Sequence, residues 1–380
     1  MTTVAPNSSS RTVSVAASLP DTAALLAAET FPLVDPHGAT FVYRGRADAV
    51  RWRSWVHGLA DPLPMQRLPS GDTWALRIEL PPGSRIEYKL EIEQDERVEW
   101  ILDPLNPVVA TDPFGANSVC RGYGYVRPPW TLPDPAAKPG HLDEILLDSR
   151  ALGTTRPLGL YVPAEFERGI RYPLLVVHDG FDYLRYANLQ IVLDNLIRRR
   201  DIPPLIAVLT QSDDRLREYG GDDRHAEFVA HEIPAALEQR FALQESRSGR
   251  VLMGASFGAV ASLHAAWRHP TVYGGLVLQS GSFARDESLH AWGASTFGSV
   301  AGFVSRFYAA PGRVADSIFM SCGIYESLIE DNRDLLPVLR QHSPSVLYEE
   351  APDGHHWENW RDRMRSALNW LFLDRPREAQ

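Results

Sequence analysis

Between residues 40 and 100 apolar and polar positions alternate with a period of two. Trp74, Leu76, Ile78 and Leu80 are separated by more polar residues, and Ile86, Tyr88, Leu90 and Ile92 interleave with Arg85, Glu87, Lys89 and Glu91. Successive side chains of a strand point to opposite faces, so the pattern predicts half-buried strands. Pro81-Pro82-Gly83-Ser84 between the two runs is turn chemistry, because proline fixes φ and glycine accepts positive φ; the runs are expected to pair antiparallel. Segments 41–44 and 50–56 add earlier strands. Short strands at this spacing predict a β-sandwich of immunoglobulin-like type over residues 21–130.

The pattern then changes. Residues 131–140, with Pro133, Pro135 and Pro139, are too proline-rich for a helix and too polar for a core strand, and predict a linker. Over 141–380 continuous apolar runs at 174–177, 205–209, 251–253, 276–278 and 318–320 alternate with helical patterns at 188–200, 226–241, 257–268 and 360–371. That is the signature of an α/β unit, a parallel sheet covered by helices on both faces.

Composition narrows the partners. The 380 residues are 44% hydrophobic and 23% charged, enough for a sizeable core in more than one unit. Lys plus Arg is 38 against 48 Asp plus Glu, a formal charge of −10, which repels phosphates and anionic membranes; neither nucleic acid nor membrane is an expected partner. The two cysteines, Cys120 and Cys322, form no metal-binding spacing and no disulfide framework. Residues 1–20 lack the basic start and apolar run of a signal peptide, and no segment reaches membrane-spanning length. A cytoplasmic protein with a flexible tail over 1–20 is the expectation.

Chemistry enters at Gly254-Ala255-Ser256-Phe257-Gly258, a G-x-S-x-G run placed between an apolar strand and a helix. A nucleophile on a sharp strand-to-helix turn needs small neighbours, which the two glycines supply. The following helix aims its N-terminal N–H groups at the site, making the Phe257 N–H a candidate oxyanion-hole donor. The bland alternative is a tight turn with a capping serine; the strand before and the helix after favour catalysis.

The α/β-hydrolase fold presents nucleophile, acid and base in that chain order. Glu326 follows the apolar run at 318–320 and a glycine turn, and Asp353-Gly354-His355-His356-Trp357 follows a strand-like run at 345–349. Glu326 has a structural alternative, as a favourable charge near a helix start. Gly354 allows a tight loop and so favours His355 as the base, although His356 is equally near the expected place. The second oxyanion donor is expected from the Gly180 or Phe181 N–H, in the turn that ends the run at 174–177. His178 and Asp179 are adjacent and point to opposite faces, so they are not expected to act together. Arg217, with Arg215, lies where it would meet an anionic substrate, against the alternative of ion pairs with neighbouring acids. Trp357 and Trp360 would wall the pocket or serve packing.

These residues together resemble the enterochelin (ferric enterobactin) esterases and the wider esterase family around them. The resemblance covers most of the chain and is carried by Gly254 to Gly258, Gln279-Ser280-Gly281-Ser282, Gly323-Ile324-Tyr325-Glu326 followed by Asn332, and Gly354-His355 with Trp360-Arg361. Asp103-Pro104-Leu105-Asn106-Pro107 resembles part of the accessory domain those enzymes carry. The resemblance implies an α/β-hydrolase with Ser256, His355 and Glu326 as its triad. It also implies cleavage of ester or lactone bonds, of a catecholate siderophore or, as in more distant relatives, of feruloyl or carbohydrate esters, or acyl transfer. His356 departs from the aspartate common at that position. No cofactor or metal is implied: His231-Glu232-Ile233-Pro234-Ala235 lacks the second histidine of a helical zinc motif, and no phosphate-binding glycine loop occurs. The expected partner is a small-molecule ester, and the rival from another class is a ligand-binding protein on the same fold.

Overall fold

The computed structural model describes residues 13–69, 71–285 and 294–373. Of the expected tail, residues 1–12 lie outside the described residues, and Ser14–Val15 is a short strand paired antiparallel with Thr73–Glu79. The chain divides into two units. The smaller comprises residues 1–127 together with 323–327 and 351–356, and the larger the remainder.

Among its described residues the smaller unit contains two antiparallel sheets. One is built on Gly38–Arg44 and Thr73–Glu79, the other on Ala49–Ser54, Arg85–Gln94 and Gly115–Arg121. The period-two alternation turns Phe41 from the first sheet and Trp52 and Tyr88 from the second into one core, where the Phe41 ring lies 5.1 Å from Trp52 and 4.8 Å from Tyr88. Burying Tyr88 requires a partner for its hydroxyl. The Tyr88 hydroxyl donates to Asp103 Oδ2 at 2.6 Å, and Asn106 Nδ2 donates to the Tyr88 hydroxyl oxygen at 3.0 Å. The residues of the Asp103 to Pro107 run thus satisfy the core's buried phenol. Burial pushes the Asp103 carboxyl up, opposed by the Tyr88 hydrogen bond.

Among the described residues of the larger unit eight strands form one sheet, in the order His141–Ser149, Thr154–Val162, Ile206–Leu209, Leu174–Val177, Arg250–Ala255, Gly275–Gln279, Ser317–Gly323, Ser345–Ala351. The strands from Ile206–Leu209 to Ser317–Gly323 pair in parallel. The first two form an antiparallel hairpin that the apolar runs do not reveal. Pro157 lies within its second strand, and its first exposes most of its side chains. The parallel strands are buried on both faces, and their alternation partitions the core. Leu174, Val176, Leu252, Leu276, Leu278, Ile318 and Met320 face one layer of helices, while Leu175, Val177, Val251, Met253, Val277 and Phe319 face the other. The Phe257–Arg268 helix packs in the first layer; Leu189–Arg198 and Trp357–Phe372 pack in the second.

One helix differs from expectation. The segment predicted at 226–241 is Asp223–Glu227, then a π turn at Phe228–Glu232 in which the Ile233 N–H reaches the Phe228 carbonyl, then Ile233–Glu238. Pro234 has no N–H for the carbonyl four residues back, and the wider register is how the helix meets that loss. Among the described residues no helix is long and apolar enough to cross a membrane.

Phe41 is fully buried at the centre of the smaller unit's core. Phe41→Ala should destabilise that unit by roughly 3–5 kcal/mol, seen by calorimetry as a lowered transition; an unchanged transition would show that the two sheets do not depend on this ring.

Candidate active site

The strand Arg250–Ala255 ends against Ser256, and the helix Phe257–Arg268 starts immediately after it. Ser256 is at φ 56°, ψ −121°, a conformation that costs on the order of 1–3 kcal/mol for a non-glycine residue and that functional sites retain. Packing imposes it. A Cβ on Gly254 would sit 2.3 Å from the carbonyl carbon and oxygen of Gly258, so the strand end and the first helical turn are in direct backbone contact across the serine. The Ser256 N–H donates to the Gln279 carbonyl at 2.9 Å, and its Oγ lies 3.2 Å from Ser282 Oγ.

The Gln279 to Ser282 run cradles this turn. Asn332 clamps Gly281 from both sides, accepting its N–H at 3.2 Å and donating to its carbonyl at 2.8 Å. Trp360 Nε1 donates to Ser280 Oγ at 2.9 Å, Gln279 Nε2 donates to the Trp360 carbonyl at 2.9 Å, and the Tyr183 hydroxyl donates to Gln279 Oε1 at 2.8 Å. Asn332 and Trp360 act on this loop by fixing its backbone and its serine.

Glu326 and His355 both fall in the smaller unit, on the segments that follow Ser317–Gly323 and Ser345–Ala351. Glu326 is buried in a turn, three residues before the Ile329–His342 helix rather than at its start. Its Oε1 accepts the Gly323 N–H at 2.8 Å, and its Oε2 lies 2.7 Å from His355 Nδ1. Both carboxylate oxygens are therefore engaged, and the His355 ring is held at its Nδ1.

His356 has different company. Its Nδ1 is 3.5 Å from Glu87 Oε2; Arg85 pairs with Glu87 at 2.6 Å and with Asp353 at 3.2 Å. Burial lowers the His356 pKa, which Glu87 partly offsets. Burial would raise that of Glu87, but His356, Arg85 and Asn117 outweigh it and hold the group below the usual range. Gly354 serves this arrangement too, since a Cβ there would lie 2.8 Å from His356 Nε2.

Residues 149–371 match the family described as Putative esterase. The chain belongs to that esterase family. It is 24% identical over 374 residues to the iron(III) enterobactin esterase of Escherichia coli K12, covering 85% of this chain and 88% of that protein. It is also 23% identical over 244 residues to the uncharacterized protein YjcH of Bacillus subtilis, covering 62% of this chain and all of the other. The crystal structure of the ferric enterobactin esterase of Salmonella typhimurium superposes with a TM-score of 0.74 at 20% identity, over 92% of this chain and 98% of that one, a likeness of fold.

The other candidate residues of this esterase have distinct surroundings. The Gly180 N–H donates to the Thr210 carbonyl at 2.8 Å and is committed there. The Phe181 N–H follows in the first turn of the Gly180–Tyr186 helix, where N–H groups have no intrahelical partner. Arg217 is 59% exposed and lies 3.8 Å from Asp214 and 3.9 Å from Glu218, the surface pairing of its alternative role. Arg215 instead reaches inward. It grips Asp179 with two hydrogen bonds of 2.9 and 2.7 Å and lies 5.8 Å from the centre of the Phe257 ring. Burial raises the Asp179 pKa and the Arg215 charge opposes it. Trp357 packs edge-on against Tyr183 and Trp360, at 5.1 and 4.8 Å, in an aromatic cluster.

His178 and Asp179 indeed have separate partners. The Ser262 hydroxyl donates to the Gly258 carbonyl at 2.8 Å, so His178 Nδ1, 3.0 Å from Ser262 Oγ, carries the hydrogen of that second contact. His178 Nε2 is then bare and accepts from His225 Nε2 at 3.2 Å. Burial pushes His178 down to about 4 and His225 well below its ordinary value. Two neutral imidazoles thus underlie the first turn of the helix that follows Ser256.

The unfolded chain protonates both rings near pH 6.5 while the fold resists it, so their contribution is complete above pH 6.5 and is lost as pH falls toward 4. For His178 alone the loss is about 3 kcal/mol. Urea unfolding at pH 7.5 and at pH 4.5 tests this; equal stability at both would contradict it. Gly254→Ala must push apart the two backbone segments it separates, and a shift of this kind at the serine should lower ester hydrolysis roughly 100-fold. A variant of wild-type rate would show that the turn does not need this contact.

Proposed function

We propose that this esterase is a serine hydrolase in which Ser256 Oγ attacks the ester carbonyl. His355 takes the hydroxyl proton and returns it to the leaving alcohol. Glu326 holds the imidazole Nδ1–H and stabilises the imidazolium, and the Phe257 and Phe181 N–H groups receive the oxyanion. Water then attacks the acyl-enzyme with His355 as base again, releasing the acid and restoring the serine. The observation that carries this reading is the strained backbone at Ser256, kept at positive φ on a strand-to-helix turn. The 2.7 Å bond between Glu326 and His355 supports it independently. So does topology: Ser256 and Glu326 each follow the carboxyl end of a parallel strand of one sheet, the edge where open α/β sheets bind ligands.

The substrate we propose is the ester or lactone of a catecholate siderophore, in line with the enterobactin esterase of Escherichia coli among the relatives. The smaller unit reads as an immunoglobulin-like accessory domain, and a small molecule rather than a nucleic acid is the partner that a charge of −10 favours. Purified protein offered ferric and iron-free catecholate trilactones, feruloyl esters and acetylated sugars, with products identified by mass spectrometry, distinguishes these substrates. Preferred turnover of a feruloyl or sugar ester would reject the siderophore.

Variants test the chemistry. Ser256→Ala should lower turnover on the order of a million-fold, with His355→Ala approaching it. Glu326→Gln should fall between that loss and wild type, and His356→Ala should change the rate far less. If His356→Ala is the inactive variant and His355→Ala is nearly normal, the base is misassigned by one residue; if Ser256→Ala keeps more than a few per cent of the rate, the nucleophile is wrong.

A further inference from the structure

The run from His231 to Ala235 lacks a second histidine one helical turn on, but the fold brings one from elsewhere. Glu227 ends the Asp223–Glu227 helix, His231 lies in the π turn that follows, and His269 is the C-cap of the Phe257–Arg268 helix. His231 Nε2 is 3.1 Å from His269 Nδ1 and 3.9 Å from Glu227 Oε2, while His269 Nε2 is 3.6 Å from the same carboxylate oxygen. One ligand atom from each residue lies within 4.8 Å of the others. Ligands about 2.0–2.1 Å from a tetrahedral ion are about 3.3–3.4 Å apart; His231 Nε2 stands at 3.1 Å from His269 Nδ1 and 3.9 Å from Glu227 Oε2, on either side of that value, and side-chain rotation of the half-exposed Glu227 adjusts the third separation. Glu227 and His231 are half exposed, so an ion can enter from solvent.

The geometry points to a zinc site on the larger unit, formed by Glu227, His231 and His269 with a fourth position for water. Two imidazoles and a carboxylate suit zinc, whereas magnesium and calcium prefer all-oxygen shells. The two histidines share a hydrogen bond in the metal-free arrangement. As the ion enters, that hydrogen moves to the outer nitrogen of its own ring, so both inner lone pairs face the metal and no net proton is released while the rings are neutral. The ion would fasten the π turn to the far end of the helix that begins at the nucleophile turn. This site is separate from the catalytic reading and stands or falls without it.

The test uses untagged, full-length protein stripped with a chelator, then titrated with zinc chloride by calorimetry and followed by thermal melting. One equivalent should bind and raise the melting temperature, and magnesium should do neither. His231→Ala and His269→Ala should each weaken binding by at least about tenfold and remove the thermal shift, while keeping wild-type circular dichroism and ester hydrolysis. Glu227→Gln should weaken it less. No zinc uptake at micromolar metal, or uptake by the His231→Ala/His269→Ala double variant equal to wild type, would overturn the proposal. Should either alanine variant misfold, His231→Gln and His269→Gln carry the same test.

Discussion

The site depends on one contact, the meeting of Gly254 with the Gly258 backbone across Ser256. A strand end and a helix start pressed this close leave the intervening residue no ordinary conformation, and Ser256 takes positive φ because both its neighbours in space are backbone. The cost, on the order of 1–3 kcal/mol, is met by the burial on either side. Val251, Leu252 and Met253 are fully enclosed before the turn, and every residue from Phe257 to Ala266 is buried after it. A helix packed this completely cannot slide away to relax the serine.

A strained turn also needs its surroundings fixed, and here polar groups do what apolar packing cannot. The loop beyond Gly275–Gln279 runs beside the serine with Ser280 itself at positive φ. Its backbone is held by the buried Asn332, which bonds Gly281 on both sides and also donates to the Leu328 carbonyl at 2.8 Å. A hydrophobic residue at 332 would leave the Gly281 N–H and carbonyl unpaired in a buried place, which costs more than the bonds contribute. The result is that Ser282 Oγ sits 3.2 Å from the Ser256 oxygen.

How much of this was legible in the sequence follows from how local each feature is. The strand, turn and helix around Ser256 are contiguous, so an apolar run, two glycines and a 3.6-residue period suffice to find them. The 141–162 hairpin is not legible, because its first strand is mostly exposed and its second contains Pro157. The π turn follows from Pro234 only once the helix is known to continue past it. Arg215 and Arg217 have the same local chemistry, and which one turns inward is decided by Asp179, a residue 36 positions earlier. The Gly180 N–H looks available until the neighbouring strand brings the Thr210 carbonyl to it.

The adjacent histidines show why a doubled residue need not mean a doubled function. His355 is 39% exposed and bonds a carboxylate whose other oxygen is tied to the Gly323 backbone, so its ring is oriented without being enclosed. His356 is largely buried beside Glu87, where the Arg85 charge pairs with the same acid and also with Asp353. Burial and Arg85 act together to disfavour its protonated form, and Glu87 does not fully compensate. A group that must gain and lose a proton in each turnover is poorly served by that environment. His356 therefore supports the loop through its contact with Glu87, while the bond to Glu326 orients the His355 ring.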